Sequence, residues 1–321
     1  MFKYLAIMVL MVSSWLPAAA QVAFWENEWP ITDFTKTSVN FSEVMSGGPP
    51  KDGIPALASV DFITVGEADI PGREPVIAVE IDGELPRAYP LRYLTWHEIA
   101  NDVIGGVPVA VTFCPLCNSG IVFDRRKNGQ ILTFGVTGKL RFSDMIMFDR
   151  ETESWWQQFT GEAIVGELLG DQLAVVISWT ESMEEFAMRN PDGLVMAEPT
   201  GVSRPYGQNP YNRYDSSARP FLYSGEEPPF GIEPLSRVVR VGGRAWPLAR
   251  LADVETLEEA GLKIVWASGM ASALDTRQIA RGRNIGSIRV YDTDGLPVEH
   301  EVVFAFAFHA FTPDGEWMLG E

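Results

Sequence analysis

Chemistry in this chain would centre on its only two cysteines, Cys114 and Cys117, in the order Cys-Pro-Leu-Cys. A thiolate is both a nucleophile and a metal ligand, and two intervening residues let both sulfurs serve one centre. A Cys-Pro-x-Cys turn followed by small residues resembles a zinc-ribbon knuckle. A structural zinc needs four ligands, and one knuckle supplies two. His97 is the candidate for a third, with Glu98 and Asp102 beside it. Copper(I) is content with two or three soft ligands. The expected cofactor is therefore Cu or Zn, held by Cys114, Cys117 and His97.

Two other uses of the pair stand beside the metal. A periplasmic thiol–disulfide oxidoreductase would use Cys114 and Cys117 as its catalytic pair. Such pairs usually sit at the start of a helix, whose N-terminus favours the thiolate. Here Asn118, Ser119 and Gly120 read as turn formers, and residues 121–124 read as a strand, so that helix is missing. The remaining use is a non-enzymatic binding module in which the cysteines only brace a hairpin. A ring nitrogen of His97 near both sulfurs would mark a metal site. A histidine turned away would mark a redox or structural pair.

A further polar set follows in Arg141, Ser143, Asp144, Asp149, Arg150, Glu153 and Gln157. Carboxylates and arginines can form an acid/base site, or simply a turn network. His300 and His309 read as structural or exposed. There is no Gly-x-Ser-x-Gly elbow, phosphate loop, dinucleotide fingerprint or His-Glu-x-x-His motif, so no enzyme class is assigned.

The elements that must position these residues read as mainly β (α+β), with short helices. The cysteines lie between strands at 109–113 and 121–124. Upstream, 76–81 and 87–91 form a hairpin around Asp82-Gly83, and 94–104 reads as one helix stopped by Gly105-Gly106. Downstream, 131–136 and 145–148 read as strands, 173–179 as another, and 180–188 as a helix capped by Thr180. Residues 199–234, rich in Pro, Gly, Tyr and Asn, form a long Tyr/Pro-rich loop packed on the body.

The second half echoes the first. Arg244-Ala-Trp-Pro-Leu-Ala-Arg-Leu251 parallels Arg87-Ala-Tyr-Pro-Leu-Arg-Tyr-Leu94, each after a strand and a Gly turn. Asp275 would correspond to Asp124, and the strand ending in Asp292 to the one ending in Asp149. This predicts an internal duplication giving two related β-rich units. The expected division is a signal peptide over 1–20, a lead-in segment over 21–73 and a first unit over 74–180. A helix and loop follow over 181–235, then a second unit without cysteines over 236–321.

The first twenty residues have a short basic start, an apolar run and Pro17-Ala-Ala-Ala20, the pattern of a secretory signal cut after Ala20. The mature protein is expected in the periplasm or secreted, with no membrane span after signal removal. Acidic residues outnumber basic ones by 43 to 25, for a net charge of −18, which excludes the basic footprint of nucleic-acid binding.

Several long motifs carry a family resemblance. These are Trp96-His-Glu-Ile-Ala-Asn-Asp102, Phe113-Cys-Pro-Leu-Cys-Asn-Ser-Gly120, the stretch from Ser143 to Gly161, and Tyr206-Gly-Gln-Asn-Pro-Tyr211. Together they resemble the domain of unknown function 3179 family over most of the chain after Lys51. The resemblance implies no particular activity. It departs near the end, where the family pattern places a histidine before Pro-Asp and this chain has Thr312, with His309 three residues earlier.

Overall fold

The computed structural model describes residues 18–320. The signal peptide expected over 1–20 lies outside the described residues apart from its last three. The described chain is mainly β, with five short helices and its sheets in a propeller-like arrangement. Among the described residues, no helix is long and apolar enough to cross a membrane.

The cysteine hairpin is the inner part of a four-stranded sheet. Val107–Cys114 pairs antiparallel with Ser119–Asp124, Val109 opposite Asp124 and Cys114 opposite Ser119. Beyond its first residue, Val107–Cys114 is buried throughout, as its run of Val, Ala and Phe dictates. Its other neighbour is Ile99–Ile104, where the expected helix over 94–104 is corrected. The helix is Leu91–His97, ended by Glu98 at φ 59°. The apolar spacing of the next residues fitted a helix, but they are a strand rich in β-branched side chains. Asn101 ties that strand down: its side chain donates to Leu57 O and Phe134 O and accepts from the Phe134 N–H. Gly105 and Gly106, at φ 56° and 83°, form the hairpin turn instead of a helix stop. The helix expected over 180–188 is Met183–Arg189, and its cap is Ser182, in a capping box with Glu185, rather than Thr180.

A five-stranded sheet follows the cysteine hairpin, in the order Val44–Ser46, Phe134–Arg141, Asp144–Asp149, Trp155–Gln157, Glu162–Val165. On one face Phe148 and Trp155 pack against Trp25, Trp29 and Phe34, so the lead-in covers this sheet. Residues 199–234 contain no strand, only short turns at Tyr214–Ser216 and Pro229–Gly231. Tyr206, Tyr211 and Tyr214 anchor this loop on the main core, which also holds both cysteines and the last helix, Ala305–Phe311.

The two halves share an order of elements. Pro75–Val79, Arg87–Pro90, Leu91–His97, Ile99–Ile104, Val107–Cys114 and Ser119–Asp124 have counterparts in the second half. These are Arg237–Val241, Arg244–Pro247, Leu248–Val254, Thr256–Glu259, Leu262–Ala267 and Ser287–Tyr291. The closing strands agree in sense as well. Ser178–Ser182 lies antiparallel on Pro75–Val79, and Leu194–Met196 parallel on Arg87–Pro90. Glu301–Phe304 lies antiparallel on Arg237–Val241, and Glu316–Trp317 parallel on Arg244–Pro247. This recurrence is one of topology and does not show a duplication of the sequence. Two expected correspondences do not survive it. Ser287–Tyr291 occupies the place of Ser119–Asp124, not that of Asp144–Asp149. Asp275 lies in an irregular segment, whereas Asp124 ends a strand. Short apolar-Asp motifs misled the alignment; sheet order decides it.

Candidate metal centre

Cys114 ends its strand and Cys117 lies in the turn that follows. The Cys117 N–H donates to Cys114 O at 3.2 Å, and Asn118 takes the left-handed conformation at φ 52°. Neighbours hold this turn from two sides. From the second half, the Phe304 N–H donates to Cys117 O at 2.9 Å, and Asn118 Nδ2 donates to Val302 O at 2.7 Å. From the long loop, the Tyr214 hydroxyl donates to Leu116 O at 3.0 Å. Ser119 and Gly120 belong to the strand rather than the turn. A Cβ on Gly120 would come within 3.0 Å of Ile77 Cδ1, so glycine serves close packing here.

Both thiols are free and buried. The residue brought to them is Asp144, from the neighbouring sheet. Its hairpin turns through Phe142 and Ser143, at φ 49° and 68°. Two consecutive left-handed residues are the geometry of a type I′ turn, which normally takes Asn and Gly. With a Cβ on each, the turn costs about 1–2 kcal/mol per residue. Ser143 is held there by the hydrogen bond its hydroxyl donates to Phe221 O. Its own carbonyl lies 3.9 Å from Cys114 Sγ.

Asp144 Oδ2 accepts from Gln157 Nε2 at 2.6 Å and from the Phe159 N–H at 2.9 Å. Oδ1 is buried without a hydrogen bond. One donor atom each from Cys114, Cys117 and Asp144 lie within 4.8 Å of one another, the one such convergence among the described residues. Burial pushes the Asp144 carboxyl up to about 6, against the hydrogen bonds from Gln157 and Phe159. Burial raises the Cys114 thiol and raises Cys117 further, where Cys114 and Asp144 add to it. Three groups that would share an ion thus stand buried and protonation-prone, a state a cation would reverse.

Glu98 lies close by. It is 7% exposed, and burial pushes its carboxyl up to about 8. The carboxyl's one hydrogen bond among the described residues comes from the Tyr211 hydroxyl at 3.4 Å. Glu98, Leu116, Met145, Tyr211 and Tyr214 line a cavity of about 450 Å³.

His97 is turned away from the cysteines. Its Nδ1 lies 2.7 Å from Pro55 O and its Nε2 2.6 Å from the Tyr206 hydroxyl. A carbonyl only accepts, so Nδ1 carries the proton and Nε2 accepts from Tyr206. The ring pins the long loop; a histidine so turned speaks for a redox or structural pair, and only Asp144 brings a third donor to the thiols. The rest of the polar set disperses. Arg141 pairs with Glu43, Arg150 with Asp52, and Glu153 with Lys51. Asp149 accepts from Thr152 and from Trp156 Nε1, which closes a turn. Only Gln157 joins Asp144. His300 is buried, with both ring nitrogens on backbone carbonyls. Asp144 was visible in the sequence as one of several polar residues. Nothing in its spacing joins it to cysteines thirty residues away, because the link is made between sheets.

A family model described as protein of unknown function (DUF3179) matches residues 51–315, which takes in the cysteine hairpin, Asp144 and the long loop. No curated protein and no solved structure gives a match. Over most of its length, then, with the thiol–carboxylate cluster inside the matched span, the chain belongs to the DUF3179 family.

Proposed function

We propose that this is an exported metalloprotein whose Cys114, Cys117 and Asp144 hold a zinc ion. The observation that carries it is the convergence of three donor atoms with Asp144 Oδ1 buried and unpartnered. In a tetrahedral zinc site, sulfur ligands at about 2.3 Å lie about 3.8 Å apart. The three donor atoms lie within 4.8 Å of one another, a bound that admits this spacing. A mixed sulfur and carboxylate set suits zinc better than copper(I), which favours soft ligands throughout. Three protein ligands leave one position for water or a small molecule, as catalytic rather than structural zinc sites do. Gln157 and the Phe159 N–H, bound to Oδ2, would orient the carboxylate from behind. Burial of both thiols and their raised pKa count against thiol–disulfide exchange, which needs an accessible thiolate.

Metal analysis of the protein expressed with its N-terminal segment tests this. We expect close to one zinc per chain, lost in Cys114→Ser and bound about tenfold or more weakly in Asp144→Asn. Equal and negligible metal in the wild type and Cys114→Ser would sink the proposal.

A further inference from the structure

A cavity lies beside the cluster. Its volume, about 450 Å³, falls in the range of small-molecule sites. Most of its wall is apolar: Ile54, Leu116, Val136, Leu140, Met145 and Phe221. Into this wall is set Glu98, buried, with one long hydrogen bond and no ion pair among the described residues. A carboxyl so placed is held in its neutral form until a counter-charge reaches it. The one cationic side chain in the lining, Lys139, is engaged by Glu28, with Nζ 2.9 Å from its carboxylate. Tyr211 and Tyr214 add aromatic rings to the same wall, and ring faces attract cations. The chain carries a net charge of −18, which draws cations and repels anions.

We propose that this cavity binds a small organic cation, an ammonium group on an apolar body, with the charge meeting Glu98 and the rings of Tyr211 and Tyr214. An anion would face Glu98 with Asp144 behind it. A neutral polar ligand would leave the carboxyl protonated, whereas a cation supplies the counter-charge that lets it ionise. The inference goes beyond the metal and does not depend on it.

Titration calorimetry with benzylamine, benzyltrimethylammonium, benzyl alcohol and benzoate, with and without added zinc, tests it. The two cations are expected to bind in both conditions, and the alcohol and benzoate far more weakly. Glu98→Gln should weaken the cations by about thirtyfold or more, the loss of one partner of a buried charge pair. Glu255→Gln, at the matching place in the other half, should leave them unchanged. If Glu98→Gln does not fold, Tyr211→Leu serves as the second variant and should weaken benzyltrimethylammonium at least severalfold. Failure of both cations to bind, binding of the alcohol or benzoate as tightly as the amine, or unchanged binding in the folded variant would each overturn the proposal. Loss of metal binding alone would not.

Discussion

The two halves run through the same backbone device and use it differently. After Leu91–His97 comes Glu98 at φ 59°, ψ −32°, and after Leu248–Val254 comes Glu255 at φ 60°, ψ −36°. In each, the glutamate N–H donates to a leucine carbonyl, Leu94 or Leu251, at 2.8 Å. Each glutamate carbonyl then accepts from an aromatic residue on the second strand, Phe113 at 2.8 Å or Trp266 at 2.7 Å. By this register Cys114 corresponds to Ala267. The residues opposite them are both serines, Ser119 and Ser287. The strained glutamate is therefore a feature of the scaffold, not a mark of chemistry. The site arises from what surrounds it on one side only. Cysteine replaces alanine at the strand end. An extra sheet brings Asp144. The long loop brings Tyr211, whose hydroxyl reaches the Glu98 carboxyl, and Tyr214 in the same cavity wall; Glu98 is buried, while Glu255 stays exposed.

The largest test of this contrast is to give the first half the second half's residue. Cys114→Ala should reduce metal to background. It should cost only about 1–2 kcal/mol of stability, a small truncation in a core whose counterpart already holds alanine. Metal content and thermal melting of the metal-free protein check the two parts. Collapse of the fold would mean that the cysteines brace the hairpin and that the halves are not equivalent scaffolds.

The sequence made the scaffold legible and the site only partly so. Strands at 109–113 and 121–124 follow from short apolar runs bounded by turn residues, and both exist. The strand Ile99–Ile104 was hidden because its apolar residues also satisfy a helical spacing. What decides it is Asn101, whose partners Leu57 and Phe134 are distant in the chain. The thiols were evident from their spacing. His97 is nearer to them along the chain, but the group that the fold gathers with them is Asp144, placed by a left-handed turn of Phe142 and Ser143 that no turn rule anticipates.

A smaller effect concerns the loop that only the first half binds. Burial holds His97 below its ordinary value of 6.5, so the folded ring stays neutral and accepts from Tyr206. A histidine depressed in the fold contributes stability that is present above its ordinary pKa and is lost as pH falls below it. Amide exchange, corrected for its intrinsic pH dependence, should show residues 199–211 losing protection as the pH drops from about 7 to 5. Tyr206→Phe should reduce protection already at neutral pH, by about 1 kcal/mol, the worth of one buried hydrogen bond. It should also weaken the pH dependence by the part that the Tyr206 bond to the neutral ring carries, leaving the part due to burial. A pH response unchanged in that variant would assign it elsewhere, with His300 the next residue to consider.

The smallest effect bears most directly on the comparison. If the left-handed glutamate is scaffold, glycine should serve as well or better where the side chain has no other task. Glu255 is exposed, and its backbone hydrogen bonds to Leu251 and Trp266 need no side chain. Relief of a strained φ is worth about 1–3 kcal/mol, and the added freedom of glycine in the unfolded chain returns roughly 0.5–1 kcal/mol of it. Glu255→Gly is therefore expected to stabilise the protein by about 1 kcal/mol, without change in metal or cation binding. Glu98→Gly relieves the same backbone but empties a buried position in the cavity wall. It should gain less or lose stability, and it should lose the cation. Chemical denaturation of the two variants, read side by side, separates the shared scaffold from the local site. Equal stability changes in both would mean that burial of Glu98 adds nothing to its backbone role.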